Sequence, residues 1–422
     1  MFLESTISDI ENYPFLNPFR FENDPSKKYW HISTLESLLE ENWNSIEEGV
    51  TENREYLAAR EKIFSSSVFQ YFTDQKNRII QESLETDNSF QILGAYTCLL
   101  DSIVQTAFDY SFIDIPLIKE RLLEELNHEL NYKQKNLPEK KEKLKLLKEQ
   151  ILEMEKNLES GSSSSREYRY FQEVESQHES ETRILEERIE ELQQLIPQIQ
   201  DFTNDKNFVL NHLVIFARGG YGRAELGLSS DRDLGYCLDT NRLNNGEAEM
   251  LRQLIVHIEN LLRNSGVETA HQYFEIDEDL SRFDEVNTLH TIPSILESRV
   301  LLGSESLATN LKNRFFQVIT FEPYVLNLVR SFSESKEPEL NRMDLKMDYG
   351  GLRSLQIPLW ITAATFGIFP SQTADLLAFL IQKHLLSHRQ ALKLCQALEF
   401  LHDLRNFSAV AKEHYFDDEA RD

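Results

Sequence analysis

The stretch FARGGYGRAELGLSSDRDLGYCL, Phe216 to Leu238, decides how this chain is read. It opens on the end of a buried-strand pattern, HLVIFA from His212 to Ala217, and closes on a second apolar run, LGYCL from Leu234 to Leu238. Between the two lie a Gly-Gly turn, a short helix and an Asp-x-Asp pair, Asp231 and Asp233. Side chains two apart on a strand face the same way, so a second strand carrying both aspartates would present them together. Such a hard-oxygen pair suits Mg²⁺, which keeps several waters and takes further ligands from substrate phosphates. Gly219 and Gly220 remove Cβ atoms where a backbone must approach phosphate, and N–H groups at the head of the following helix would aim positive partial charge at the same place. Two metals between the carboxylates would serve in-line phosphoryl or nucleotidyl transfer. A dinucleotide fingerprint does not fit, because Gly220 and Gly222 are followed by Glu225 where the third glycine belongs. The plain alternative is a tight turn followed by two solvated aspartates.

Working outward, EMLRQLIVHIENLLRNSG reads as a helix stopped by Gly266 and VETAHQYFE as a third strand, so residues 205–310 form a compact α/β unit. After about 280 the pattern is helical to the end, through LESRVLLGSESLATNLKNRFFQ, PLWITAATFGIF, ADLLAFLIQKH and RQALKLCQALEFLHDLRNF, which makes 311–422 a helical C-terminal region. Residues 1–116 are read as helical from STLESLLEENWNSIEEG and QILGAYTCLLDSIVQTAF. In 117–204, Leu144, Leu147, Ile151, Met154 and Leu158 keep a 3-4 spacing, as do Leu185, Ile189, Leu192, Ile196 and Ile199. The Ser/Gly tract from Ser160 to Ser165 separates them, so the two arms form an antiparallel coiled-coil hairpin, each about 30 Å long if about 20 residues are helical. Pro138 is expected at the start or a kink of the first arm.

Composition sets limits. With 44 basic against 71 acidic residues the formal charge is −27 over 422 residues, which disfavours extended contact with nucleic acid or anionic lipid. Cys98, Cys237 and Cys395 are too far apart for a disulfide framework or a CxxC knuckle, and the cytoplasm is the default compartment. The N-terminus has acidic residues where a secretory signal needs basic ones, and no run approaches about 18 apolar residues, so no membrane span is expected. The eleven histidines show no ligand spacing. FRFENDPSKKYW, Phe19 to Trp30, lacks the basic setting of a base-stacking platform and reads as packing or docking surface.

The run GGYGR…EL…SDRDL resembles the signature of the bacterial uridylyltransferases that modify the PII nitrogen-signalling protein, members of the DNA polymerase β-like nucleotidyltransferase superfamily. Two further segments follow in the family's order: TIPSILESRVLLGSESL, Thr291 to Leu307, and DLKMDYGGLRSLQIPLW, Asp344 to Trp360. The resemblance covers about 205–410. It implies an α+β, mostly helical chain in which a small polymerase β-like α/β domain is flanked by helical domains. It also implies that Asp231 and Asp233 are the catalytic pair and hold Mg²⁺. Gly219, Gly220 and Ser230 would line the triphosphate, with Arg223 as a nearby cation, and Lys346 and Arg353 would reach phosphate or base from the helical domain. For Arg223 a salt bridge to Glu225 or Asp231, and for Lys346 and Arg353 a domain-packing role, are the competing readings.

The chain departs from the family pattern in places. Arg232 stands between the aspartates where an apolar residue is usual, Ser354 follows Arg353 in place of Asp, Ala224 replaces a frequent Gly, and Phe274 replaces an arginine near His271. Glu268, Glu275 and Asp277 lie near the position of a third carboxylate and are each read as solvated acids. No HD hydrolase or small-molecule-sensing module is seen through residue 422, so nucleotidyl removal and glutamine sensing are expected elsewhere. The resulting expectation is a Mg²⁺-dependent transferase moving UMP or AMP from UTP or ATP to a hydroxyl of a protein or small molecule. Self-association through the hairpin is a further expectation. The alternative is a catalytically weakened nucleotide-binding regulator acting through the hairpin.

Overall fold

The computed structural model of the protein describes residues 53–85, 89–159, 165–276, 291–318, 321–333 and 344–415 apart from 369 and 371, together with Leu35 and Leu39. The Phe19–Trp30 stretch, Asp277, the tract 160–164 and most of STLESLLEENWNSIEEG lie outside the described residues. The chain divides into two compact units: Met1–Phe112 with Asp205–Arg242 and Ile255–Asp422, and Ile113–Asn204 with Leu243–Leu254.

The first unit is built on a four-stranded mixed sheet of order β3-β2-β1-β4, with β1 at Leu213–Ala217, β2 at Asp233–Leu238, β3 at Ala270–Glu275 and β4 at Arg299–Gly303. β1, Leu-Val-Ile-Phe-Ala, is buried at every residue, as an interior strand covered on both faces must be. It pairs antiparallel with β2, Leu213 opposite Leu238 and Ala217 opposite Leu234, and antiparallel with β4; β2 and β3 are parallel. β4 was expected to be helical. Val300, Leu301 and Leu302 instead form the edge strand, and Gly303 ends it at φ +91°, where a Cβ would meet the Leu213 carbonyl oxygen at 2.0 Å.

The helices outside the hairpin are α1 Asn53–Glu85, α2 Ser89–Ile113, α5 Lys206–His212, α6 Gly219–Gly222, α7 Asn245–Asn264, whose first half belongs to the second unit, α8 Thr291–Leu296, α9 Glu305–Val318, α10 Phe321–Ser333, α11 Leu352–Phe366, α12 Thr373–Gln382 and α13 His388–Tyr415. α7 stops at Gly266 as expected, with φ +72° and the Val267 N–H returned to the Leu262 carbonyl. One core packs Phe216 and Phe274 of the sheet against Phe315, Ile357 and Trp360; a second packs Leu352, Leu359 and Ala363 against Leu377, Leu398 and Leu401. α11 contributes to both cores and so fixes the C-terminal helices to the sheet.

The second unit holds α3, Ile115–Glu159, and α4, Ser165–Asp201. Their ion pairs run in opposite directions along the two chains, Glu129 with Arg188, Lys140 with Glu181 and Lys148 with Glu179, so the helices are antiparallel. The expected seam is where these helices meet: Ile151, Ile189, Leu192, Ile196 and Ile199 are buried, and Leu144, Leu147, Met154 and Leu185 half-buried. Pro138 corrects an expectation, for it lies inside a continuous helix of 45 residues. Its missing N–H orphans the carbonyl of Gln134, and both residues are exposed, so water can serve that oxygen. Among the described residues no helix is long and apolar enough to cross a membrane.

Candidate active site

The site starts where β1 ends. Gly219 has φ +55°, and a Cβ there would stand 3.3 Å from Asp233 Oδ2, so a side chain would be strained and would crowd the carboxylate. The Arg218 N–H donates to the Asp233 carbonyl at 2.9 Å, which locks the turn onto the head of β2. Asp233 is the first residue of β2, whereas Asp231 precedes the strand by two residues in the turn. The pair therefore does not share a strand face, as expected from spacing, although both aspartates line the same cleft. The helix begins on the Gly-Gly pair itself, Gly219–Gly222, and is a single turn of four residues. It is too short to sum to a macrodipole, so any pull on a phosphate would come from single N–H groups, of which those of Gly222, Arg223 and Glu225 are already used within the turn.

A cleft of about 310 Å³ opens over this end of the sheet. Gly219, Gly220, Arg223, Ser230, Asp231, Asp233, Lys346 and Arg353 all line it. Segments more than a hundred residues apart in sequence thus converge on one space. The sequence reading missed further lining groups, among them Arg218, Gln272, His402 and Arg405.

Arg218 is buried, with Nε donating to the Leu234 carbonyl at 3.1 Å, Nη1 donating to Gln272 Oε1 at 2.6 Å, and Nη2 3.8 Å from Asp233 Oδ1. Burial pushes the Asp233 carboxyl above the usual range, Arg218 opposes that shift, and Asp231 adds to it by like-charge repulsion. Two coupled carboxylates, one held half-buried, are a donor set that a divalent cation would relieve. Among the described residues, however, no group of three or more His, Cys, Asp or Glu forms a metal cluster. Glu275 accepts from the Tyr273 hydroxyl at 2.8 Å, the Glu268 carbonyl accepts from Arg232, and neither residue lines the cleft.

Arg223 corrects its expected role. Its Nε donates to Glu225 and its Nη1 to Glu297, both at 2.7 Å, and all three side chains are buried. The guanidinium is committed to two carboxylates and is not a spare phosphate cation. Glu297 in turn accepts from Trp360 Nε1 at 2.8 Å, and Glu225 accepts from the Thr373 hydroxyl. The three motif segments are therefore one buried hydrogen-bonded network beneath the cleft. Burial pushes the His402 imidazole down to about 4, against the attraction of Glu225.

Lys346 and Arg353 come from a tight loop and the first turn of α11. The Arg353 N–H donates to the Lys346 carbonyl at 3.0 Å, and Asp344 Oδ1 accepts from the Lys346 and Met347 N–H groups. Ser354, in place of the family's Asp, accepts from the Gly350 N–H at 2.9 Å and so closes the loop. Arg353 lies 4.9 Å over the Trp360 ring and donates to Gln356; burial, with Arg223 next in effect, lowers it to about 10. Burial and then Arg353 hold Lys346 below the usual lysine range.

Two departures gain a structural account. Arg232 donates to the Tyr96 hydroxyl at 2.9 Å and to the Glu268 carbonyl, over the ring of Phe72, which fastens the Asp-x-Asp segment to α1 and α2. Phe274 is buried, stacked on Phe216 and edge-on to Phe315, so it serves the core. Arg299, from the second motif, pairs with Asp101 of α2 at 2.9 Å beside the Tyr221 ring.

A mixed sheet with a Gly-Gly turn closing onto two aspartates, with Lys346 and Arg353 lining the same cleft, is the arrangement that the resemblance to polymerase β-like nucleotidyltransferases implies. Residues 330–413 match the family model for GlnD PII-uridylyltransferase. The chain is 30% identical over 165 residues to the bifunctional uridylyltransferase/uridylyl-removing enzyme of Zymomonas mobilis, covering 37% of this chain and 17% of that enzyme. It is 30% identical over 206 residues to the enzyme of the same name from Ectopseudomonas mendocina, covering 46% and 21%. Against that of Azospirillum brasilense it is 30% identical over 160 residues, covering 35% and 16%. The chain is thus related to the PII-uridylyltransferases and spans about a fifth of the length of these curated relatives.

Proposed function

We propose that the chain is a Mg²⁺-dependent, uridylyltransferase-like nucleotidyltransferase that moves a nucleoside monophosphate from UTP or ATP to a hydroxyl, on a protein of the PII kind or a small molecule. The observation that carries this reading is the convergence of both aspartates, the Gly-Gly turn, Lys346 and Arg353 on one cleft. The acceptor oxygen bonds to the α-phosphorus, the bond from that phosphorus to the α,β-bridging oxygen breaks, pyrophosphate leaves, and the hydroxyl proton passes to solvent. Asp231 and Asp233 would hold Mg²⁺, which when bound supplies charge neutralisation at the phosphates. Gly219 lets the phosphate chain approach Asp233, Ser230 offers a hydroxyl donor, and Lys346 and Arg353 balance phosphate charge. The relatives' names favour uridylyl transfer over adenylyl transfer. The hairpin is proposed as the docking or self-association element.

The test supplies purified protein, Mg²⁺ and α-labelled UTP or ATP to a cell lysate or to a purified PII-type protein. Label is expected on an acceptor, falling at least about a hundredfold in Asp231→Asn and Asp233→Asn while the melting temperature stays within a few degrees. Undiminished transfer in both variants overturns the reading. One observation keeps the regulator alive: among the described residues no third carboxylate, histidine or cysteine joins the two aspartates in a group that could hold a metal, and Gln272 lines the cleft from β3. Metal-dependent nucleotide binding without transfer from any of the four NTPs would favour that second reading.

A further inference from the structure

The charge of the cleft runs against that of the chain. A protein of net charge −27 lines this space with five permanent cations, Arg218, Arg223, Lys346, Arg353 and Arg405, against three carboxylates. Arg223 is matched by Glu225 and Glu297, and Arg218 faces Asp233. The other three cations share a wall with Asp231, which is exposed. Among the described residues neither the Lys346 ammonium nor the Arg405 guanidinium has a carboxylate within ion-pair distance.

Arg405 comes from α13, far in sequence from any motif quoted above, and rigid contacts on either side of it fix its position. Asn406 Oδ1 accepts from the Leu228 N–H at 3.2 Å, in the turn that leads to Ser230. His402, one helical turn earlier, is buried beside Glu225. The carboxylates that act on Arg405 are Asp344 and Asp231, and Asp231 lines the same cleft. Burial lowers all three below their ordinary basicity; Arg353 and Arg405 lower Lys346 further, and Arg405 lowers Arg353 further, a repulsion that a bound polyanion would relieve.

We infer that Arg405 completes, with Lys346 and Arg353, a three-cation subsite for the β- and γ-phosphates, and that this residue sets the preference for a nucleoside triphosphate over a monophosphate. The inference rests on the nucleotide reading above and adds a specificity residue to it. A guanidinium held without a carboxylate partner on a rigid helix is pre-organised for phosphate oxygens, which it can engage through two parallel N–H donors.

Calorimetric titration of the full chain with Mg²⁺ tests it, using UTP, ATP, UMP, AMP and inorganic tripolyphosphate as probes. Arg405→Gln is expected to weaken the triphosphate bound by the wild type, and tripolyphosphate, by about tenfold or more while monophosphate binding stays within about twofold. Arg405→Lys should recover part of the loss. Unchanged triphosphate affinity in Arg405→Gln overturns the inference and leaves the nucleotide reading standing. Equal losses for mono- and triphosphate, with a lowered melting temperature in both variants, also overturn it, by making Arg405 a packing residue. If the wild type binds none of the probes, the nucleotide reading itself fails.

Discussion

Arg223 and Lys140 each hold a glutamate at 2.7 Å, in the two units of the chain, and the two pairs differ in almost everything but that distance. The Arg223 and Glu225 side chains are 7% and 7% exposed; those of Lys140 and Glu181 are 38% and 40% exposed. In the first unit the charges have left water and depend on each other, because an unpaired buried charge costs several kcal/mol. In the hairpin the same chemistry is solvated and screened, and the apolar seam carries the stability. Buried charge here frames a site, while exposed charge decorates a helix pair.

The largest expected effect breaks the buried network. Arg223→Met strands Glu225 and Glu297 and is expected to cost about 3–5 kcal/mol in chemical denaturation; replacing all three with apolar residues together should cost less. In the hairpin the equivalent blow is to the seam. Leu192→Ala should remove about 3 kcal/mol, read by hydrogen exchange across 115–201.

Acid separates the two regions further. The folded His402 imidazole titrates near 4 and its unfolded form near 6.5, so the unfolded chain binds the extra proton first. Its contribution is full above about pH 6.5 and is lost as pH falls toward 4, on the order of 2 kcal/mol between pH 7 and pH 5. His402→Gln should flatten that window. The lowered hairpin carboxylates Glu129, Glu139 and Glu181 lose their contributions only at lower pH, below the ordinary glutamate range. Lys140→Ala should change hairpin stability by less than about 1 kcal/mol. The smallest effect expected is on nucleotide affinity when residues 139–196 are replaced by a flexible linker: within about threefold of the full chain, against a much larger loss if the hairpin serves the cleft.

How much of this could be read from the sequence depended on the kind of signal. β1 and β2 were legible because continuous apolar runs beside a Gly-Gly turn or an Asp have few other uses, and β3 because it follows the helix that Gly266 stops. β4 was not, since Arg-Val-Leu-Leu-Gly is half-buried throughout and its spacing fits a helix equally well. The eight residues expected from the motifs all line the cleft. Arg218, Gln272 and Arg405 carry no local signature, and only the folded chain brings them to the cleft. Arg223 shows the limit of motif reasoning, for its place and its pairing with Glu225 were legible but its second partner, Glu297, 74 residues away, was not.

The grip of α2 on the sheet has a consequence for how the protein is made. Asp101 and Arg299 are 198 residues apart in the chain, and Tyr96 and Arg232 are 136 apart. At roughly 5–20 residues per second, a ribosome releases α2 on the order of 10–40 s before it has completed β4. Through that interval the whole hairpin is synthesised while Tyr96 and Asp101 lack their partners Arg232 and Arg299, and Leu93 lacks the C-terminal helices it packs among. The segment that bears no motif is thus made well before the strands it grips, and its apolar side chains wait for their cover while the hairpin is emerging.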